Sequence, residues 1–257
     1  MAVQVVFFGS SDYSLPVLQK LIDQNLVSLV VTTPDKPVGR HLKLTPNPVK
    51  VLAQKHNIPV ITSLLSPLLS LGEENKRGEV VGLIAAFGRI IPQSILDTFN
   101  DQIYNIHPSL LPKYRGPSPL QQQILDGVTD TGVTLIKIDA LMDHGPIVAQ
   151  EKDIILNTDT PRTLGKRLFE KGTDLFIKLL SNNSPLLFPS LRLREGLGVS
   201  YIPQDDSAAS YTHKLTRQDG FVPWTEINSS LDRKFRAYHP WPGLWTLDPQ
   251  GRRLKLS

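Results

Sequence analysis

Residues 105–116 read Asn-Ile-His-Pro-Ser-Leu-Leu-Pro-Lys-Tyr-Arg-Gly (NIHPSLLPKYRG), and the way this stretch folds decides where the rest of the chain must go. A strand presents residues i and i+2 on one face. A strand over Gln102–His107 therefore points Asn105 and His107 the same way, at its carboxyl end. Pro108 has no N–H for a sheet ladder, so the strand stops there. An amide and an imidazole side by side at a strand terminus form a place to hold a ligand.

Upstream, short apolar runs alternate with helical patterns. Val3–Phe8, Val27–Thr32, Ile58–Ile61 and Val80–Phe87 read as strands, and Leu15–Asp23, Pro48–His56 and Pro92–Phe99 read as helices. This alternation predicts βα units, hence an α/β fold with a doubly wound, mainly parallel sheet. Such sheets bind ligands beyond the carboxyl ends of their strands, where Asn105 and His107 fall. Downstream, Ser118–Asp126 is a helix, and Gly132–Ile138 and Ile147–Asp153 are strands joined by the tight loop Met142–Pro146. A helix over Pro161–Leu180 carries Leu164, Leu168, Leu175, Phe176 and Leu179 on one face, with Asp159-Thr160 as its cap and Pro161 in its first turn. The expected organisation is a catalytic domain over 1–180, a linker over 181–206 rich in proline, and a small C-terminal domain over 207–257.

Composition narrows the function. The chain of 257 residues suits one large domain and a smaller one. It has no cysteine, which excludes disulfides, Cys-ligated zinc and thiol catalysis. The start MAVQVVFFGSSD lacks a basic leader and reads as a strand, and no apolar run approaches the roughly 18 residues of a membrane span. A cytoplasmic protein without a membrane partner is expected. The net charge of +4 is concentrated: residues 207–257 hold eight Lys/Arg against four Asp/Glu, and all three tryptophans (Trp224, Trp241, Trp245). That combination suggests contact with a polyanion, nucleic acid first. The aromatics can also be a small domain's core, the reading preferred for Trp224 and Phe235.

Few residues can do chemistry. His41, His56, His213 and His239 lack ligand spacing and read as surface residues, whereas His107 and His144 lie at strand ends. Gly9-Ser-Ser after the first strand carries neither the dinucleotide glycine pattern nor a Walker lysine. It is a plain βα turn or a helix N-terminus able to contact an anion. If the 142–146 loop folds toward the strand edge, Asp143 joins Asn105 and His107 in a trio suited to acyl transfer to an amine. The amide and imidazolium would donate to a developing oxyanion, and the carboxylate would hold the ring and accept the amine's proton. The alternative is structural: Asn105 caps a turn, His107 is a satisfied strand-end histidine and Asp143 makes an Asx turn before Gly145.

NIHPSLLPKYRGPSPLQ resembles the signature of folate-dependent formyltransferases. FFGSSDYSLPVL, IAAFGRIIP (84–92) and MDHGPI (142–147) are similar to further segments of that family. PDKPVGRHLKLTPNPVK (34–50), YTHKLTRQDGFVPW and RAYHPWPGLW resemble the loop and C-terminal barrel of its branch acting on methionyl-tRNA. The resemblance implies a Rossmann-like formyltransferase domain followed by a small OB-type β-barrel-like domain, with Asn105, His107 and Asp143 catalytic. It implies transfer of a formyl group from 10-formyltetrahydrofolate to the α-amine of methionyl initiator tRNA, with no metal and no covalent enzyme intermediate. Ser109, Leu110, Leu111 and Pro112, with the backbone of Phe87, Gly88, Arg89, Ile90 and Ile91, would line the folate site. Arg40 would contact the acceptor end of the tRNA, with Lys36 and Lys43 as phosphate partners; the bland reading of 34–50 is a solvated, irregular excursion. A monomer is expected.

Two departures stand out. The resembled barrel continues for several strands beyond RRLKLS, so the C-terminal domain is expected to be incomplete, with unpaired edges unless it packs on the catalytic domain. The linker, with LRLREG (191–196) in it, is longer than the resemblance implies. The alternatives weighed are a formyltransferase acting on a nucleotide-linked amino sugar, and a non-catalytic folate or tRNA binder.

Overall fold

The fold is that of a computed structural model, which describes residues 3–38, 42–63, 80–100, 102–181, 201–226 and 231–256. Its frame is a seven-stranded sheet. The strands are β1 (Gln4–Gly9), β2 (Val27–Val31), β5 (Val60–Ile61), β6 (Val80–Ala85), β7 (Ile103–His107), β8 (Asp130–Lys137) and β9 (Ile147–Ile154). Their order across the sheet is β5-β2-β1-β6-β7-β8-β9. Pairing is parallel from β5 to β7 and antiparallel from β7 to β9. The sheet is thus mainly parallel, as the alternating pattern predicts.

Each central strand is buried on both faces, so alternate residues feed two cores. Val5, Phe7, Leu83, Tyr104 and Ile106 face one layer, which includes α1 (Ser14–Asp23) and α5 (Pro161–Leu180). Val6, Phe8, Ile84 and Ile103 face the other, where α3 (Gln93–Leu96) supplies Ile95 and Leu96 and the following turn supplies Phe99. Phe8 meets the edges of Phe87 and Phe99 at 5.7 and 5.9 Å. A fully buried side chain of this kind contributes about 1.5–3 kcal/mol by removal from water. Along β7 the alternation places Asn105 and His107 on the same face as Ile103.

The 20-residue helix α5 starts where its cap predicts: the Thr160 hydroxyl accepts from the Thr163 amide at 3.3 Å, and Pro161 occupies the first turn. The 34–50 stretch differs from the irregular excursion. It holds an antiparallel hairpin, β3 (Lys36–Val38) with β4 (Lys43–Thr45), before α2 (Pro48–Lys55) begins at the cap Asn47. Lys36 and Lys43 are on its two strands, and Lys36 is exposed; Arg40 lies outside the described residues.

The C-terminal segment packs on the helical layer that includes α1 and α5. Leu215, Val222, Ala237, Tyr238 and Leu244 belong to the same buried cluster as β1 and α5. The helix α6 (Leu231–Tyr238) lies against α4 (Pro119–Asp126), and β10 (Trp245–Leu247) pairs with β11 (Arg253–Lys255). The core reading of Trp224 and Phe235 does not hold: their surfaces are 55% and 40% exposed. Trp224 instead uses its indole N–H, which donates to the Leu247 carbonyl at 2.7 Å.

Candidate active site

Two cross-sheet hydroxyl contacts build the mouth at the carboxyl ends of β1 and β6, where the strand order reverses. Ser14 Oγ donates to the Ala85 carbonyl and Ser10 Oγ to the Phe87 carbonyl, each at 2.7 Å. Ala86 and Gly88 take positive φ values of 49° and 69°, so the chain leaves β6 in a turn. Phe87 is buried beneath it. Gly88, Arg89 and Ile90 are exposed, Ile90 by 82%.

The next strand carries the predicted pair. His107 is 97% buried (3% relative exposure), and its two ring nitrogens both face acceptors. Nε2 lies 2.9 Å from the Tyr114 carbonyl, which can only accept, and so carries a hydrogen; Nδ1 lies 3.5 Å from Asp143 Oδ1. The Asn105 amide donates to the same carboxylate oxygen at 3.3 Å. An amide donor and a ring nitrogen from one strand face thus converge on one oxygen.

Asp143 reaches that point because its loop is tightly shaped. Its own φ is 51°, a left-handed conformation that Asp tolerates. Two residues on, a Cβ at Gly145 would overlap the Lys137 carbonyl, so only glycine closes this turn. The carboxylate accepts at Oδ2 from the Gly116 amide at 2.8 Å instead of closing an Asx turn in its own loop. Gly116 itself has φ 109°, and a Cβ there would meet the Thr212 carbonyl at 2.7 Å.

The proline-bounded turn is locked from several sides. Ser109 Oγ donates to the Lys113 carbonyl, Thr134 Oγ to the Ser109 carbonyl, and Gln150 Nε2 to the Leu111 carbonyl. Ser109 and Leu111 are buried, whereas Leu110 and Pro112 are half-buried. Thr134 and Gln150 escape sequence reading because they point in from neighbouring strands. In the loop that carries Asp143, Leu141 and Met142 are 62% and 59% exposed.

A family model for formyl transferases matches residues 1–180. The methionyl-tRNA formyltransferase of Hahella chejuensis is 36% identical, covering 99% of this chain and 77% of that protein. The enzyme of the same name from Geobacter sulfurreducens is 37% identical with the same coverage. The chain belongs to the methionyl-tRNA formyltransferase family. Among solved structures, a sugar 3N-formyl transferase crystallised with dTDP and 5-N-formyl-THF superposes with a TM-score of 0.63 at 22% identity. It covers 97% of this chain and 84% of that one, a likeness of fold.

In this formyltransferase the residue after Asp143 makes a second charged contact. His144 Nδ1 lies 2.6 Å from Asp139 Oδ2, and Nε2 lies 3.5 Å from Asp206 Oδ2. The hydrogen bond to Asp139 raises the imidazole pKa above its usual 6.5, assisted by the Asp206 charge and opposed by partial burial and Arg115. The Asp206 carboxyl is lowered below 3.8, first by its hydrogen bond from Arg115. A raised imidazole adds stability that is complete below 6.5 and lost as pH rises through its folded value. A lowered carboxyl adds stability present above 3.8 and lost as pH falls through its folded value. The link is therefore strongest between those limits. His144→Gln is expected to lower the melting temperature by about 1–3 °C near pH 5.5 and by nothing measurable near pH 9. A pH-independent deficit in thermal melts contradicts the link.

Proposed function

We propose that this chain transfers a formyl group from 10-formyltetrahydrofolate to the α-amine of methionyl initiator tRNA, with Asn105, His107 and Asp143 as its catalytic residues. The observation that carries the reading is the convergence of the Asn105 amide and His107 Nδ1 on one oxygen position, at 3.3 and 3.5 Å. An oxyanion needs two such donors, and here an Asp143 carboxylate oxygen occupies the point they share. Both distances exceed those of strong hydrogen bonds, as is common before a substrate tightens a site.

The donor folate supplies an activated one-carbon group at the oxidation level of formate. For their part, Asn105 Nδ2 and His107 Nδ1 donate to the formyl oxygen as charge develops on it, that oxygen taking the point that Asp143 Oδ1 fills in the free protein. Asp143, held by the Gly116 amide, takes the proton from the attacking amine and returns it to N10 of the donor as the bond between N10 and the formyl carbon breaks and tetrahydrofolate leaves. The fit of a flat, largely apolar donor is supported by the large apolar side chains left exposed in the loops after β6 and β8, Ile90, Leu141 and Met142. The backbone of Phe87–Ile91 and of Ser109–Pro112 would line it. The co-crystallised 5-N-formyl-THF of the sugar 3N-formyl transferase supports a folate-type donor.

The family relatives favour charged tRNA as acceptor. Arg40, Lys36 and Lys43 are its proposed contacts, together with the basic C-terminal segment. Arg40→Ala is expected to raise the KM for charged tRNA about tenfold and to reduce the salt dependence of binding by about one counterion. Slow hydrolysis of the donor should be spared, and equal damage to both reactions contradicts a tRNA role. The reading as a whole is tested by supplying formyl-folate with either methionyl initiator tRNA or a dTDP-linked amino sugar. Formylation of the tRNA is expected; formylation of the sugar nucleotide alone overturns the choice of acceptor.

A further inference from the structure

The two loops that hold the catalytic cluster are joined to each other by a segment outside the family match. That match ends at residue 180, yet residues 202–212 lie across the site. Ile202 pairs with Ile147 in an antiparallel bridge, and Tyr211 pairs with Arg115 in a parallel one. Between these anchors, the Gln204 side chain faces both loops at once. Its Nε2 donates to the carbonyls of Asp143 and Gly145, each at 2.8 Å. Its Oε1 accepts from Arg115 Nε at 3.0 Å and from an Arg115 terminal nitrogen at 2.9 Å.

Arg115 explains why this matters. Its side chain is 1% exposed, so its charge must find partners inside the protein. Among the described residues, the acceptors of its guanidinium all come from the crossing segment. They are Gln204, the Asp206 carboxylate at 2.8 Å and the Tyr211 hydroxyl at 3.0 Å. The Arg115 backbone is held by the same segment, donating to the Ser210 carbonyl at 2.8 Å and accepting from the Thr212 amide at 2.7 Å. Its neighbours in sequence touch the catalytic side chains directly: the Tyr114 carbonyl meets His107, and the Gly116 amide meets Asp143. A single amide therefore ties the turn that orients the imidazole to the loop that carries the carboxylate.

We propose that Gln204 is a positioning residue for formyl transfer: by clamping the Asp143–Gly145 carbonyls to Arg115, it sets the carboxylate against His107 and Asn105. The proposal rests on the role given above to Asp143. It assigns to the 201–212 segment a part in the chemistry itself, separate from any contact with the acceptor.

The test uses the full chain. Gln204→Glu keeps an acceptor for Arg115 but replaces the donor facing the two carbonyls with a second acceptor. It thereby opens the link on the Asp143 side alone. The expected result is a fall in kcat of about tenfold to a hundredfold, because a displacement near 1 Å has effects of that size. Both KM values should stay within about twofold, since neither substrate is touched, and the melting temperature should hold. Should Gln204→Glu not fold, Gln204→Met, of similar length and without hydrogen bonds, is read for the same split of kcat from KM. Wild-type kcat in the folded variant, a loss carried by KM, or failure of both variants to fold overturns the proposal. Asp143→Asn, assayed alongside, separates the two levels. Normal turnover in Asp143→Asn sinks the catalytic reading, whereas a crippled Asp143→Asn beside a fully active Gln204→Glu sinks only the positioning role.

Discussion

His107→Ala is expected to lower kcat by about a hundredfold to ten-thousandfold, the range for removing one acid–base or oxyanion group. The size follows from what the ring does at both of its nitrogens. Nδ1 is one of two donors aimed at the shared oxygen point, and Nε2 fixes the ring by its bond to the Tyr114 carbonyl. Alanine removes the donor and leaves the half-buried Tyr114 carbonyl without its ring partner, which costs about 1 kcal/mol of stability as well. The two effects separate in measurement. Turnover at saturating substrates reports the chemistry, and a thermal melt reports the carbonyl. Near-normal turnover removes His107 from the mechanism whatever the melt shows.

Asp143→Asn should cause a comparable loss, about a hundredfold or more in kcat, with donor binding retained. The new side chain fits the space and can still accept from the Gly116 amide. It carries no charge to take the amine's proton, and its NH2 group would face the Asn105 amide or His107 where an acceptor now stands. The affinity for formyl-folate, measured by equilibrium titration, distinguishes the proposed role from a structural one. Loss of donor binding in step with kcat would make Asp143 a scaffold residue.

Asn105 and His107 are legible in the sequence because one strand suffices to align them. A period of two and a terminating proline fix which way both point. The sheet was legible for a similar reason: strands buried on both faces read as continuous apolar runs. Asp143 was legible only as a possibility, because its position depends on how a turn closes. The decisive features are the positive φ of Asp143 and the lack of room for a Cβ at Gly145. The β3–β4 hairpin was hidden because three-residue strands are too short to show alternation, and Pro37 breaks what little there is. The Gln204–Arg115 contact spans 89 residues in sequence and belongs to no periodic pattern. Polar side chains that meet across such distances leave no trace in local spacing. Trp224 and Phe235 show the converse limit, since an aromatic residue does not announce whether a second layer will cover it.

The central claim is that the amide, the imidazole and the carboxylate work as one unit around a single oxygen position. Its most direct test is a double-mutant cycle on the single-turnover rate of formyl transfer to charged initiator tRNA, using His107→Ala, Asp143→Asn and the pair. Residues acting as a unit lose little more together than the worse of them loses alone. The predicted double variant is therefore within about tenfold of the slower single one. Losses that multiply would mean that the two side chains act independently, and would contradict the account.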